Sequence, residues 1–207
     1  VEERSGAVNL HVDGDFLIEI PVKQSGLYMD MTESRFDFES GAASRTVSMS
    51  TNLSFWNVLE KPSWVSVSPE SGEAGEHTLT INVEDNPNTT KREGRVVVGN
   101  QGLSLADTLW VTQEGKWFGS LETILQFENV ASSNTLDIST DGDWTVTTSD
   151  SWIAVNPSSG HGKAQVTVSV QANEGDNDRT GLLAVAVGGT VQYVNVVQKG
   201  RYFTIDR

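Results

Sequence analysis

Cysteine is absent from the 207-residue chain, which excludes disulfide scaffolds, thiol nucleophiles and cysteine metal sites. Positive charge is scarce as well, because 14 lysines and arginines stand against 28 aspartates and glutamates, for a formal net charge of −14. Binding to phosphates needs clustered positive charge that releases counterions. We therefore expect no nucleic-acid partner, and the same argument disfavours anionic membrane surfaces.

Long hydrophobic runs and catalytic motifs are also missing. No apolar stretch approaches the roughly 18 residues that cross a bilayer, so we expect no membrane insertion of this segment. The three histidines (His11, His77 and His161) lack the spacing of zinc ligands. Neither a Gly-x-Ser-x-Gly elbow nor a phosphate loop occurs. We predict no catalytic residues, no metal, no cofactor and no enzymatic function, and only a chance carboxylate pair for glycoside hydrolysis stays open.

Three acidic loops carry oxygen ligands of the kind that Ca²⁺ prefers. They are Asp13–Asp15, Asp141–Asp143 and Asp176–Asp178. None has the twelve-residue spacing and closing glutamate of an EF-hand, and Asp13 with Gly14 is explained by a hairpin turn. Calcium binding at these loops stays open at the level of the sequence.

A repeat with an offset of 88 residues organises the chain. The segment WVSVSPESG at 64–72 returns as WIAVNPSSG at 152–160, and a second tryptophan, Trp56 or Trp144, precedes each copy by eight residues. Because these residues return in both copies, we expect them to serve the shared fold. Further recurring pairs are Asn86 and Asn173, Arg92 and Arg179, and Gln113 and Gln198.

The repeat also predicts the domain organisation. Arg4 precedes Gln24 by 20 positions, close to the separations of the matching Arg and Gln in the two later copies. We therefore interpret residues 1–26 as the closing half of a preceding repeat. Residues 27–115 and 116–200 form two complete repeats, and residues 201–207 form a C-terminal tail or the start of a further strand.

Alternation of apolar and polar residues predicts strands throughout. Val166, Val168 and Val170 alternate with polar neighbours, as half-buried strands do, and no persuasive helical stripe occurs. Asp13 with Gly14 and Gly188 with Gly189 supply the positive φ of tight hairpins. About seven short strands in each repeat predict an all-β chain of tandem immunoglobulin-like antiparallel β-sandwiches with almost no helix.

The recurring residues resemble the BACON family, whose name stands for Bacteroidetes-associated carbohydrate-binding, often N-terminal. The motif W-[VI]-x-V-x-P-x-S-G, the Asn-rich loop, R-x-G and the terminal Q-x-G carry the resemblance across nearly the whole chain. It implies small immunoglobulin-like sandwiches, exported to the cell surface or periplasm of a Bacteroidetes-type bacterium, often within a lipoprotein or a glycan-degrading enzyme. It implies either carbohydrate binding or a spacer role, and it supplies no catalytic residues.

Three functions remain open: spacer modules of an exported surface protein, a carbohydrate (glycan or mucin) binding module, and an adhesive or assembly module. Trp110 is the one candidate ligand-binding residue. It aligns with the polar Asn195, and its neighbours Leu109 and Val111 look inward, so Trp110 is expected to face outward, where a sugar ring could stack on it. The alternative is packing of Trp110 against a loop or an adjacent module. The expected partners are glycans or other domains of the parent protein.

Residues 1–26 pose a separate problem, since a hairpin without the rest of its sandwich is marginally stable. We expect a turn at Asp13 with Gly14 and a cover over the apolar face. The cover is either a neighbouring chain, which gives a dimer through residues 1–26, or the face of the next module. The inward-facing set is predicted to be Val8, Leu10, Val12, Ile18, Ile20 and Val22.

Overall fold

The computed structural model describes residues 3–201, and almost all of its regular structure is β-strand. Within this part of the chain, the one helical element is a three-residue 3₁₀ turn, Gln101–Leu103. The prediction of an all-β chain with almost no helix is confirmed. Residues 202–207, most of the predicted tail or further strand, lie outside the described residues, as do residues 1 and 2.

The described chain divides into two compact units. The first comprises residues 3–85 and 93–112, and the second comprises residues 86–92 and 113–201. Each unit is built around one β-sandwich, and the first also contains an N-terminal hairpin. The strands of the two sandwiches fall within the predicted repeats 27–115 and 116–200, whose boundaries stay predictions.

The N-terminal hairpin consists of β1 (Arg4–Val12) and β2 (Asp15–Gln24), which pair antiparallel. Asp13 and Gly14 form the turn with φ values of 52° and 94°, the left-handed conformation that a tight hairpin needs. A bulge shifts the register after Leu10. The predicted hairpin and its turn are therefore present, and every residue of both strands is exposed.

The first sandwich packs a five-stranded sheet in the order β4-β11-β10-β6-β8 against a four-stranded sheet in the order β3-β5-β9-β7. Its strands are β3 (Met29–Met31), β4 (Arg35–Phe38), β5 (Ala43–Thr51), β6 (Trp56–Glu60), β7 (Val65–Ser68), β8 (Ser71–Gly72), β9 (Gly75–Val83), β10 (Arg92–Asn100) and β11 (Leu105–Gln113).

The second sandwich repeats this topology without a counterpart of β3. Its five-stranded sheet has the order β12-β19-β18-β14-β16, and its three-stranded sheet has the order β13-β17-β15. Its strands are β12 (Ile124–Phe127), β13 (Ser132–Ile138), β14 (Asp143–Thr147), β15 (Ile153–Asn156), β16 (Ser159–His161), β17 (Ala164–Val170), β18 (Arg179–Val187) and β19 (Thr190–Gln198).

Each sandwich has one hydrophobic core, made by the alternate strand residues that point between its sheets. Leu79, Ile81 and Val83 of β9 and Val166, Val168 and Val170 of β17 lie there, as their alternation predicts. The largest enclosed side chain of each core is a tryptophan, Trp56 or Trp144. Within residues 3–201, no buried side-chain nitrogen or oxygen lacks a hydrogen-bond partner.

The fold class is confirmed, because both units are immunoglobulin-like sandwiches of the same topology. The pairing of β12 with β19 differs from the antiparallel expectation. β12 runs parallel to β19, with Ile124 opposite Asn195 and Phe127 opposite Gln198. Parallel pairing needs a long connection, and here nearly the whole module lies between the two strands.

Candidate functional site

The recurring glutamine Gln198 connects the end of β19 to two loops of the second sandwich. The side chain of Gln198 is fully buried, and its Oε1 accepts hydrogen bonds from Nε and Nη2 of Arg179 at 2.9 and 2.8 Å. Its Nε2 donates to the backbone oxygens of Glu128 at 3.0 Å, Gln171 at 3.0 Å and Val130 at 3.3 Å. One amide therefore joins the end of β19 to two loops.

The recurring arginine bonds loop carbonyls, as its planar fork allows. Nη2 of Arg179 donates to the backbone oxygens of Gln171 at 2.7 Å and Ala172 at 3.2 Å. Its guanidinium also lies over the indole of Trp152, 4.2 Å from the ring centroid. The arginine thus orders the loop before β18 and holds the partly buried tryptophan in place.

The recurring asparagine bridges the same loop to the chain after β19. Nδ2 of Asn173 donates to the backbone oxygens of Asn177 at 2.9 Å and Lys199 at 3.0 Å. The earlier copy repeats these contacts. Asn86 donates to Thr90 O and Glu114 O at 3.0 Å each, and Arg92 Nε donates to Gln113 Oε1 at 2.9 Å. These recurring residues therefore hold the fold through internal hydrogen bonds.

The recurring tryptophans fall into two classes. Trp56 and Trp144 are fully buried, and their Nε1 atoms donate to the backbone oxygens of Glu73 at 3.1 Å and Gly162 at 3.0 Å. Trp64 and Trp152 pack against the same cores but remain partly exposed. The tryptophans that anchor the two cores are therefore Trp56 and Trp144. Trp64 and Trp152, which begin the repeated motif, contribute less buried surface.

Trp110 faces outward on β11, as alternation predicts. Its neighbours Leu109 and Val111 are fully buried, whereas 47% of the Trp110 surface is exposed. The backbone of Trp110 is fixed, because its amide donates to Ser34 O at 2.9 Å. Its indole is thus presented on the outer face of the five-stranded sheet, and contact with a sugar there stays a prediction.

Charged pairs share this outer face with Trp110. On β4, Arg35 donates from Nη2 to Thr112 Oγ1 at 2.7 Å and from Nε to Asp37 Oδ1 at 2.9 Å. On β10, Arg95 binds both carboxylate oxygens of Glu60 at 2.9 and 2.8 Å. The hydrogen bond from Arg95 lowers the pKa of Glu60 below its ordinary value. The surface around Trp110 is therefore polar, with its charges already paired.

The second sandwich presents a different outer face. Asn195 stands in place of Trp110, but Tyr193, two residues earlier on β19, is 58% exposed. The sequence argument missed Tyr193, although the buried Val194 and Val196 show by the same alternation that it faces outward. The outward positions of β12, β18 and β19 are uncharged: Ile124, Gln126, Leu182, Ala184, Ala186, Val191, Tyr193, Asn195 and Val197.

A depression of about 320 Å³ lies at one end of this sandwich. It contains two carboxylates, Glu128 and Asp178, and both are engaged. Glu128 pairs with Lys199 at 3.1 Å, and Asp178 Oδ1 accepts from the amide of Gly200 at 2.9 Å. These bonds secure the chain after β19.

The acidic loop Asp141–Asp143 uses two carboxylates within the fold. Asp141 Oδ1 accepts from the amide of Trp117 at 2.6 Å, and Asp143 Oδ1 lies 2.8 Å from Nδ1 of His161. Within residues 3–201, no three histidine or acidic side chains are grouped to hold a metal ion. No helix in the same part of the chain has the length and apolarity to span a bilayer.

Family models match both sandwiches. Residues 54–114 match the BACON model, described as "Putative binding domain, N-terminal". Residues 120–201 match the BACON_2 model, described as "Viral BACON domain". The two matches together cover more than half of the chain, and the description of the first model names a binding domain rather than a catalytic one.

Similarity to individual proteins is more distant. The xyloglucan-specific endo-beta-1,4-glucanase BoGH5A of Bacteroides ovatus is 29% identical over 89 residues, which cover 41% of this chain and 18% of the enzyme. The chain thus spans less than a fifth of that relative. A solved B. ovatus GH5 xyloglucanase in complex with a XXXG heptasaccharide is 27% identical and covers 42% of this chain and 19% of its own, with a TM-score of 0.39. The titin I9–I11 tandem is 12% identical and covers 95% and 74%, with a TM-score of 0.43.

Proposed function

Because the chain belongs to the BACON family, we propose that its sandwiches are non-catalytic structural modules that hold other parts of an exported surface protein apart. The supporting observation is the use of the recurring residues. The recurring residues of the second sandwich form their hydrogen bonds and packing contacts inside their own module, as seen for Arg179, Gln198, Asn173 and Trp144. The hydrogen bonds and packing contacts inside the sandwich recur in both copies, whereas the outward-facing residues differ between the copies. This pattern is typical of modules whose recurring residues maintain the fold.

The proposed location is the surface or periplasm of a Bacteroidetes-type bacterium. Two observations support it: the family match, and the similarity to a Bacteroides ovatus enzyme that acts on xyloglucan, a polysaccharide. The absence of cysteine is compatible with any redox compartment. A relative that acts on a glycan also favours a parent protein that handles glycans.

Affinity electrophoresis of the intact chain through gels that contain soluble polysaccharides tests the structural role. The gels carry xyloglucan, another neutral β-glucan or a mucin, and the matched control is a gel without polysaccharide. A purely structural module migrates equally in every gel. It also releases no reducing sugar from any of the polysaccharides. Selective retardation or release of sugar overturns the structural role.

A second candidate function is glycan binding on the outer face that contains Trp110. An exposed indole on a rigid strand, beside paired charges that can exchange hydrogen bonds with hydroxyl groups, has the chemistry of a sugar platform. The similarity to a xyloglucan-active enzyme makes xyloglucan oligosaccharides the first ligands to test.

If Trp110 binds sugar, xyloglucan oligosaccharide should change the tryptophan fluorescence of the intact chain. The variant Trp110→Ala should lose the change, because it removes the stacking surface. Trp117→Ala is the matched control, since it removes another exposed indole at a different place and should keep the response. A response that survives in Trp110→Ala contradicts a sugar site at this residue.

A further inference from the structure

The N-terminal hairpin has one mainly aliphatic face. Val8 lies opposite Ile20 and Leu10 lies opposite Ile18, and all four side chains are about half exposed. The intervening pair points to the other side and consists of the polar Asn9 and Glu19. The hairpin therefore presents a two-stranded aliphatic surface, which costs free energy in water.

Most of these positions are core positions in the second sandwich. Arg4 pairs with Gln24 in the hairpin, as Arg179 pairs with Gln198 in β18 and β19. Counted from these pairs, five apolar hairpin residues coincide with residues that are at most 1% exposed, whereas Ile18 coincides with the partly buried Gln192. The correspondences are Val8 with Leu183, Leu10 with Val185, Val12 with Val187, Ile20 with Val194 and Val22 with Val196.

The two edges of the hairpin correspond to the edges of β18 and β19 at which other strands pair. In the second sandwich, β18 receives β14 antiparallel along its free edge, with Trp144 opposite Val187 and Val146 opposite Val185. β19 receives β12 parallel along its other edge. In the hairpin, β1 corresponds to β18 and β2 corresponds to β19. Within the described residues, β1 and β2 form a sheet of two strands only. Both edges thus have backbone groups available for an added strand.

The partner must therefore supply a sheet face and two edge strands together. We propose that residues 4–24 are a docking surface for the opening half of a BACON-type repeat. That partner adds one strand parallel to β2 and one strand antiparallel to β1, and its opposite sheet covers the aliphatic face. In the second sandwich, the segment that does this for β18 and β19 is 116–178.

A second copy of the hairpin fits this surface less well. It could cover the aliphatic face, but its strands would stack on the first hairpin and leave the edges of both unpaired. The opening halves in a second copy are already closed by their own hairpins, β10 with β11 and β18 with β19. The partner that satisfies both the face and the edges is an opening half with no closing hairpin.

The test adds a separate probe polypeptide to the intact chain. The probe is residues 116–178 of this sequence fused to a soluble carrier, and the readout is hydrogen exchange of the β1 and β2 amides. Docking should slow their exchange by about tenfold or more, because an exposed hairpin opens readily whereas a core strand does not. The carrier alone should leave the exchange unchanged.

Paired variants decide whether the aliphatic face carries the binding. Leu10→Thr with Ile20→Thr keeps β-propensity but places hydroxyl groups on that face, so the probe should no longer protect the hairpin. Asn9→Thr with Glu19→Thr alters the opposite face and should keep the protection. The proposal is overturned if the probe protects neither strand. It is also overturned if the intact chain alone forms a dimer that the first variant abolishes, because the occupant is then a second copy.

Discussion

At the scale of single residues, a contact between glycine and tryptophan recurs in both sandwiches. A Cβ atom on Gly72 would lie 2.8 Å from Cζ2 of Trp56, and one on Gly160 would lie 2.5 Å from Cζ2 of Trp144. The indoles are buried and hydrogen-bonded through Nε1, so they have little room to move aside. The glycine of the repeated motif is therefore required by packing.

Replacing Gly72 by alanine should destabilise the first sandwich. Because the new methyl group would overlap the ring of Trp56, we expect the free energy of unfolding to fall by about 1–3 kcal/mol. Gly41→Ala is the matched control, since a Cβ there meets no atom within 4 Å. Chemical denaturation followed by tryptophan fluorescence measures both variants. Equal midpoints for the two would contradict the packing argument.

At the scale of elements, the buried amide of Gln198 connects β19 to the loop after β12 and to the loop after β17. It accepts from Arg179 and donates to three carbonyl oxygens, so both ends of the amide are used. A carboxylate of the same shape could keep the arginine contact. It would turn the three donor contacts into oxygen–oxygen repulsion.

The variant Gln198→Glu should therefore lower the free energy of unfolding of the second sandwich by about 1–3 kcal/mol at neutral pH, since it leaves buried acceptors unpaired. Gln24→Glu is its positional counterpart in the hairpin, where the side chain is exposed, and it should have a far smaller effect. Thermal unfolding followed by circular dichroism compares the two. Similar losses at both positions would show that burial of the amide does not matter.

Some features of these elements follow from the sequence, and others do not. The alternation around Val185 and Val194, the turn at Asp13 with Gly14 and the outward direction of Trp110 follow from local patterns, and the structure has all three. The parallel direction of β12 does not follow from local patterns, because it depends on pairing with β19, which lies far away in sequence. Tyr193 does not follow from the repeat, because the exposed faces of the two copies diverge.

At the scale of the whole molecule, the dominant property is negative charge. With 28 acidic residues against 14 basic ones, like charges repel across a surface whose ion pairs, such as Lys91 with Glu114 and Lys199 with Glu128, are exposed to solvent. Salt weakens this repulsion, since the screening length falls from about 30 Å at low ionic strength to about 8 Å at physiological salt.

The melting temperature should therefore rise by a few degrees when sodium chloride is raised from about 10 to 150 mM at neutral pH. The same addition near the isoelectric point of about 4.5 is the control, because the net charge is then close to zero and the gain should shrink. Differential scanning calorimetry measures both conditions. A melting temperature that falls with salt at neutral pH would mean that attractive ion pairs outweigh the repulsion.

The parallel pairing of β12 with β19 has a mechanical consequence. The chain comes into the strand pair at Ile124, opposite Asn195, and leaves it at Gln198, opposite Phe127, so these two points lie at opposite ends of the pair. Tension applied along the chain would drive the strands past each other lengthwise. The hydrogen bonds from Asn195 N to Thr123 O and from Lys199 N to Phe127 O would then bear the load together instead of opening one after another. Such a module is expected to yield only when the whole strand pair shears, which fits the proposed role as a spacer.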